Sequence, residues 1–96
     1  MSEALNSGKI RKHIVFTGMV QGVGFRRQAS KAASLFDCTG WVKNEWDGSV
    51  SMEIQGTNGN INRVILAIEQ GSFIYIENMT VDIIPVVEYE YGFKTK

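Results

Sequence analysis

Gly18-Met19-Val20-Gln21-Gly22-Val23-Gly24-Phe25-Arg26 is the stretch on which the reading of this chain turns. Before it, Ile10 to Thr17 alternates: Ile10, Lys12, Ile14 and Phe16 fall on one side, His13, Val15 and Thr17 on the other. That two-residue period is a strand. After it, from Phe25 to Asp37, the period changes. Ala29, Ala32, Ala33 and Phe36 stand at i, i+3, i+4 and i+7, one face of a helix. The stretch is therefore a glycine-rich joint from strand to helix. Glycines let the backbone turn so that several N–H groups converge on one point. A helix N-terminus behind the loop adds the positive end of its dipole. Arg26 adds a permanent cation with a planar fork of donors. Together they form a cradle for a phosphate-sized anion.

Working outward, Thr39 to Trp46 and Ser49 to Gln55 read as two further strands joined by Asp47-Gly48, a strong hairpin signal. In the second of these, Val50, Met52 and Ile54 alternate with Ser49, Ser51, Glu53 and Gln55, which predicts one buried face and one wet one. Gly56 to Asn60 reads as a turn-rich loop. Ile61, Val64, Ile65 and Ile68 repeat the helical spacing, with Gly71 as the expected C-cap. A strand is expected from about Tyr75 to Ile84, ended by Pro85, and a short closing strand over Glu88 to Phe93.

The order β-α-β-β-α-β with right-handed crossovers places two helices on one face of an antiparallel sheet, the ferredoxin-like α+β sandwich. The expected core is Ile14, Phe16, Ala29, Ala33, Phe36, Val50, Met52, Ile54, Ile61, Ile65, Ile68 and Val81. Residues 1–9 are polar and read as a flexible tail, and 10–96 as a single domain.

Composition narrows the function. Ten Lys+Arg balance ten Asp+Glu, so the formal net charge is zero and the basic excess of a nucleic-acid binder is missing. The wet face Ser49, Ser51, Glu53, Gln55 is also a poor platform for stacking bases. The single cysteine, Cys38, excludes an internal disulfide and offers no zinc-type spacing. No apolar run reaches membrane-spanning length, and Met1 to Lys9 lacks the apolar stretch of a signal peptide, so a cytoplasmic location is expected. His13, the one histidine, lies on the first strand away from the loop and reads as a surface residue. Trp41, Phe25 and Tyr91 read as packing residues, and Arg27 as a surface neighbour of Arg26. A cation at a helix N-terminus opposes the dipole, so Arg26 itself favours an anion partner.

A second segment, Gly40-Trp41-Val42-Lys43-Asn44 followed by Gly48, Val50 and Gly56, joins the first to make a pair. The pair resembles the two signatures of the acylphosphatase family, in the same order and with a single helix between them. The resemblance runs from about Ile10 to Phe93 and is strongest through Gly56. It implies hydrolysis of a carboxyl-phosphate anhydride to carboxylate and inorganic phosphate. On the matching positions it implies that Arg26 binds the phosphate oxygens. The backbone amides of Val20, Gln21, Gly22, Val23, Gly24 and Phe25 would complete the cradle, and Asn44 would hold the attacking water. It implies no metal, no organic cofactor, a small-molecule acyl phosphate as the only partner, and a monomer. Gln21 reads as structural through loop hydrogen bonds. Met19 stands where the family commonly has a polar or basic residue, and Gly71-Ser72 where it commonly has Gly-Pro. A phosphate-binding module without turnover is the main alternative, and the presence of Asn44 argues against it.

Overall fold

The computed structural model describes residues 8–96. Its elements are β1 (Lys9–Met19), α1 (Phe25–Leu35), β2 (Thr39–Asn44), β3 (Val50–Thr57), α2 (Asn58–Glu69), β4 (Tyr75–Ile84) and β5 (Phe93–Thr95). The sheet order is β4-β1-β3-β2-β5. β1 pairs antiparallel with β3 and β4, and β2 antiparallel with β3. The expected tail lies, for residues 1–7, outside the described residues; Lys9 is already paired with Thr57.

β5 runs parallel to β2, so the sheet is mixed rather than wholly antiparallel. The cause is topological. β4 ends at Ile84 beside Arg11, the end of the sheet where β2 begins. The chain must cross the sheet there to reach the far edge, and it arrives running in β2's direction. The closing strand is thus Phe93–Thr95, and Glu88 to Tyr91 belong to the crossing segment.

Ile14, Phe16, Val42, Val50, Met52 and Ile54 from the sheet meet Phe25, Ala29, Ala32 and Ala33 of α1 and Ile61, Val64, Ile65 and Ile68 of α2. The alanines let α1 lie close to the strands, and this apolar burial is the main stabilising term. Phe36 packs from a partly buried position. Val81 does not join the core: it is 39 % exposed. β4 is an outer strand, and of its residues only Ile76 packs against the core.

α2 starts earlier than its apolar period suggests. Gly56 and Thr57 extend β3, and the Thr57 hydroxyl accepts from Asn60 N at 3.2 Å, capping the helix. Gln70, in right-handed helical geometry, closes α2, so Gly71 is not its cap.

The opposite face of β3 is covered, not wet. Ser49, Ser51 and Gln55 are buried. Ser51 donates to the Glu45 carboxylate. Gln55 clasps Val87 of the crossing segment twice, donating to its carbonyl and accepting from its N–H, each at 2.9 Å. Arg11, 2 % exposed, lies beneath. Its guanidinium donates to Glu53 at 3.0 Å, to Gln55 at 3.2 Å, and to both Glu90 oxygens at 2.7 and 3.2 Å. Thr39 adds a further tie, donating to Glu90 at 2.7 Å. Burial alone would raise the Glu90 carboxyl. The bonds from Arg11 and Thr39 and the charges of Arg11 and Lys94 outweigh it, and the net shift is downward.

Candidate active site

The end of the sheet away from the crossing carries the glycine loop. Val20 and Phe25 anchor its two ends, since both side chains are buried and the Phe25 ring packs 4.9 Å from that of Phe16. Between them Gly22 (φ 72°) and Gly24 (φ 83°) are left-handed. A Cβ at either would meet open space, so the backbone angle and not crowding calls for glycine. Gln21 donates to the carbonyls of Glu45 and Ser49 at 2.6 and 2.8 Å, tying the loop to the β2–β3 hairpin. Asp47 in turn accepts from Ser49 N and Oγ, which fixes that hairpin.

α1 begins without a side-chain cap and with no acidic residue in its first turn. Its first amides and its positive dipole end are left for whatever enters the cavity beside them. That cavity, about 350 Å³, is lined by Val20, Gly22 and Gly24 of the loop, Phe25, Arg26 and Arg27 of α1, Asn44 at the end of β2, and Thr95 of β5. Arg26, Asn44 and four of the six predicted loop residues therefore meet at one place. Gln21 and Val23 do not line it. Gln21 faces the hairpin, and Val23 lines a neighbouring groove.

Arg26 donates to the Lys96 main-chain oxygen at 2.9 Å. Among the described residues no Asp or Glu side chain pairs with it. Lys96 is itself placed by its N–H to the Val42 carbonyl at 2.8 Å and by its ammonium 4.5 Å over the Trp41 ring. A cation with no Asp or Glu side chain paired to it among the described residues, beside an uncapped helix start and a left-handed glycine loop, suits a tetrahedral oxyanion.

Arg27 and Thr95 line the cavity without having been singled out for it. Arg27's position next to Arg26 in the first helical turn was the available signal. Thr95 had none, because its place depends on the crossing that precedes β5. The residues read as bystanders lie elsewhere. His13 sits on the sheet face that the crossing segment, residues 85–92, covers as a strap, its Nδ1 3.2 Å from Glu53 and its ring edge-on to Trp41. Burial, with the charge of Asp37, pushes the Cys38 thiol up to about 11, so it is no nucleophile at neutral pH. Tyr91, expected to pack, is instead exposed on the crossing segment.

Comparison with known proteins bears on what this cavity serves. The acylphosphatase family model matches residues 12–95. The chain belongs to the acylphosphatase family. The acylphosphatase of Clostridium beijerinckii is 35% identical over 88 residues, spanning 91% of this chain and 98% of its own. That of Clostridium acetobutylicum is 40% identical over 78 residues, 80% and 86% of the two chains. The solved acylphosphatase structure from Coxiella burnetii matches with a TM-score of 0.86 at 28% identity over 100% of both chains. The fold is the ferredoxin-like α+β fold of acylphosphatases, and the family's activity is hydrolysis of small-molecule acyl phosphates. No helix among the described residues is long and apolar enough to cross a membrane.

Proposed function

We propose that Arg26 and the backbone amides of Val20 to Phe25 hold the substrate's phosphoryl group while the Asn44 amide orients the attacking water. The observation that carries this reading is the convergence of Arg26 and Asn44, from two different elements, on the cavity under the glycine loop. Water oxygen bonds to phosphorus, the bond from phosphorus to the acyl oxygen breaks, and its electron pair leaves with the carboxylate. A phosphate oxygen takes the water's proton. Phosphoryl transfer asks mostly for positioning and for charge stabilisation at the equatorial oxygens. The leaving carboxylate is stable, so a neutral amide that positions water suffices and no strong base is needed. For the same reason the reading requires no metal ion. It also has the protein act as a monomer in the cytoplasm, with no nucleic-acid partner.

The test is hydrolysis of benzoyl phosphate followed by ultraviolet absorbance with a chelator present. Arg26→Ala and Asn44→Ala are each expected to lower kcat about 100- to 1000-fold, as the loss of one preorganised donor does elsewhere. Full turnover in both variants would sink the assignment. Loss of wild-type turnover in the chelator would sink the metal-free part alone.

A further inference from the structure

We propose that the apolar groove formed by Met19, Val23, Phe73 and Tyr75 receives the acyl group of the substrate and selects acyl phosphates whose acyl part is apolar and carries no second negative charge. This deepens the hydrolase reading above and rests on it.

The groove, about 600 Å³, meets the glycine loop at Gly22 and Val23, and Asn44 lines the cradle cavity and not the groove. Its walls are Met19, Val23, Phe73, Ile74 and Tyr75, with the Ser72 hydroxyl and the Tyr75 phenol as polar groups and, among the described residues, no charged side chain. Three of these side chains stand well out of the fold: Met19 is 62 % exposed, Phe73 76 % and Tyr75 62 %. Met19 and Tyr75 are direct cross-strand partners where β1 meets β4, so two of the three sit side by side on rigid elements. A cluster of large exposed apolar groups at the rim of a site is a binding surface more often than an accident of packing.

Two features connect it to the phosphate cradle. Gly22 lines both spaces, and having no side chain it raises no wall between them. The second is the direction of the reaction. Attacking and leaving oxygens lie roughly in line across phosphorus. The water side is marked by Asn44 on β2. Met19 and Tyr75 are on β1 and β4, with β3 standing between β2 and β1 in the sheet. A leaving group in line with a water on Asn44 therefore points toward the groove. Val23, which belongs to the loop but not to the cradle cavity, acquires a role there. So do Met19 and Ser72, two positions at which this chain departs from the pattern it resembles.

The chemistry of the walls sets the preference. Aromatic and thioether surfaces favour an aromatic or branched acyl group by removing its apolar area from water. A second carboxylate would be desolvated there without a cation to meet it.

The experiment compares kcat/KM for benzoyl, acetyl and succinyl phosphate in the wild type and in Phe73→Ser, Tyr75→Ser and Met19→Lys. These side chains are exposed, so the variants are expected to fold, and thermal unfolding by circular dichroism verifies it. Phe73→Ser and Tyr75→Ser should each lower the benzoyl-to-acetyl ratio about tenfold, the low end of what one apolar contact contributes to discrimination. Met19→Lys should raise the succinyl-to-acetyl ratio, because it supplies the missing cation. A benzoyl-to-acetyl ratio unmoved by both serine variants, with turnover intact, overturns the groove and leaves the hydrolase standing. A folded wild type that turns over none of the three overturns the hydrolase reading and the groove with it.

Discussion

Arg11, near the start of β1, and Arg26, just past the loop that follows it, are held in opposite ways. Arg11 is buried and saturated: Glu53, Gln55 and both oxygens of Glu90 take its donors. Arg26 is half-buried and, among the described residues, gives one bond, to the main-chain oxygen of Lys96. A guanidinium offers five donors, so Arg11 has little left for a ligand and Arg26 has most of its fork free. A buried cation is tolerable only when fully paired, which makes Arg11 a fixed part of the fold. A cation left unpaired at a cavity is one whose partner comes from solution. The helix starts repeat the contrast, since α2 is capped by Thr57 and α1 by nothing.

The comparison breaks most visibly at Arg11. Arg11→Met keeps much of the volume but leaves Glu53 on the sheet and Glu90 on the crossing segment without their shared cation. We expect a loss of about 3–5 kcal/mol in urea unfolding, the usual consequence of removing one member of a buried charge pair. Glu90 tethers the segment that leads into β5, so amide exchange over 93–95 should accelerate as well. A loss below about 1 kcal/mol, the range of an exposed pair, would mean that Arg11 is not the anchor described.

Glu90→Gln sharpens the same point, with an expected cost of about 1.5–3 kcal/mol for a hydrogen bond to a charged group. It also carries a pH signature. The Glu90 carboxyl is held below its ordinary value of 4.5 in the folded protein. Its contribution is therefore fully present above that value and is lost as pH falls through the lower, folded one. Urea midpoints measured from about pH 6 down to about pH 3 should fall less steeply in Glu90→Gln than in the wild type. Equal slopes would show that Glu90 does not gate acid unfolding.

What the sequence disclosed divides along the same line. The periods of Ile10 to Thr17 and of Ala29 to Phe36, the Asp47-Gly48 hairpin and the glycine loop are local signals. They were enough to place the helices, four strands and Arg26 behind the glycine loop, whereas Asn44 was pointed to only by the resemblance to a known family. The strap was hidden because its pairs are remote in sequence: Arg11 meets Glu90 across 79 residues. No local period distinguishes Gln55 bound to Val87 from Gln55 in water. For the same reason the far face of β3 read as wet, and the direction of β5 as antiparallel. Val81 has the residue type and spacing of a core strand, but the sheet order makes β4 an outer strand. Thr57 and Asn60 looked like a loop because cap residues are turn residues until the helix behind them is known.

Thr57→Ala tests the capped helix. It should lower stability by about 1 kcal/mol, the typical value of an N-cap hydroxyl, and leave turnover of benzoyl phosphate unchanged. A fall in turnover without a fall in stability would tie the start of α2 to the site, against the contrast with α1.

The smallest expected change in stability belongs to Arg26→Ala, a variant expected, like Asn44→Ala, to lose most of its activity. A half-exposed arginine with one main-chain contact and a like-signed helix dipole beneath it contributes within about 0.5 kcal/mol to folding. Its contribution should appear only when an anion is bound. Inorganic phosphate at about 100 times its dissociation constant should stabilise the wild type by about 2.7 kcal/mol. The same concentration should shift the thermal midpoint of Arg26→Ala far less, with sulfate and chloride controls separating site binding from a general salt effect. If Arg26→Ala instead unfolds as readily as Arg11→Met, the bond to the Lys96 main-chain oxygen is what Arg26 is for, and the two arginines are anchors alike. If it folds normally and phosphate still stabilises it fully, the anion is held by the loop amides and Arg27, and the cavity keeps its role with a different cation.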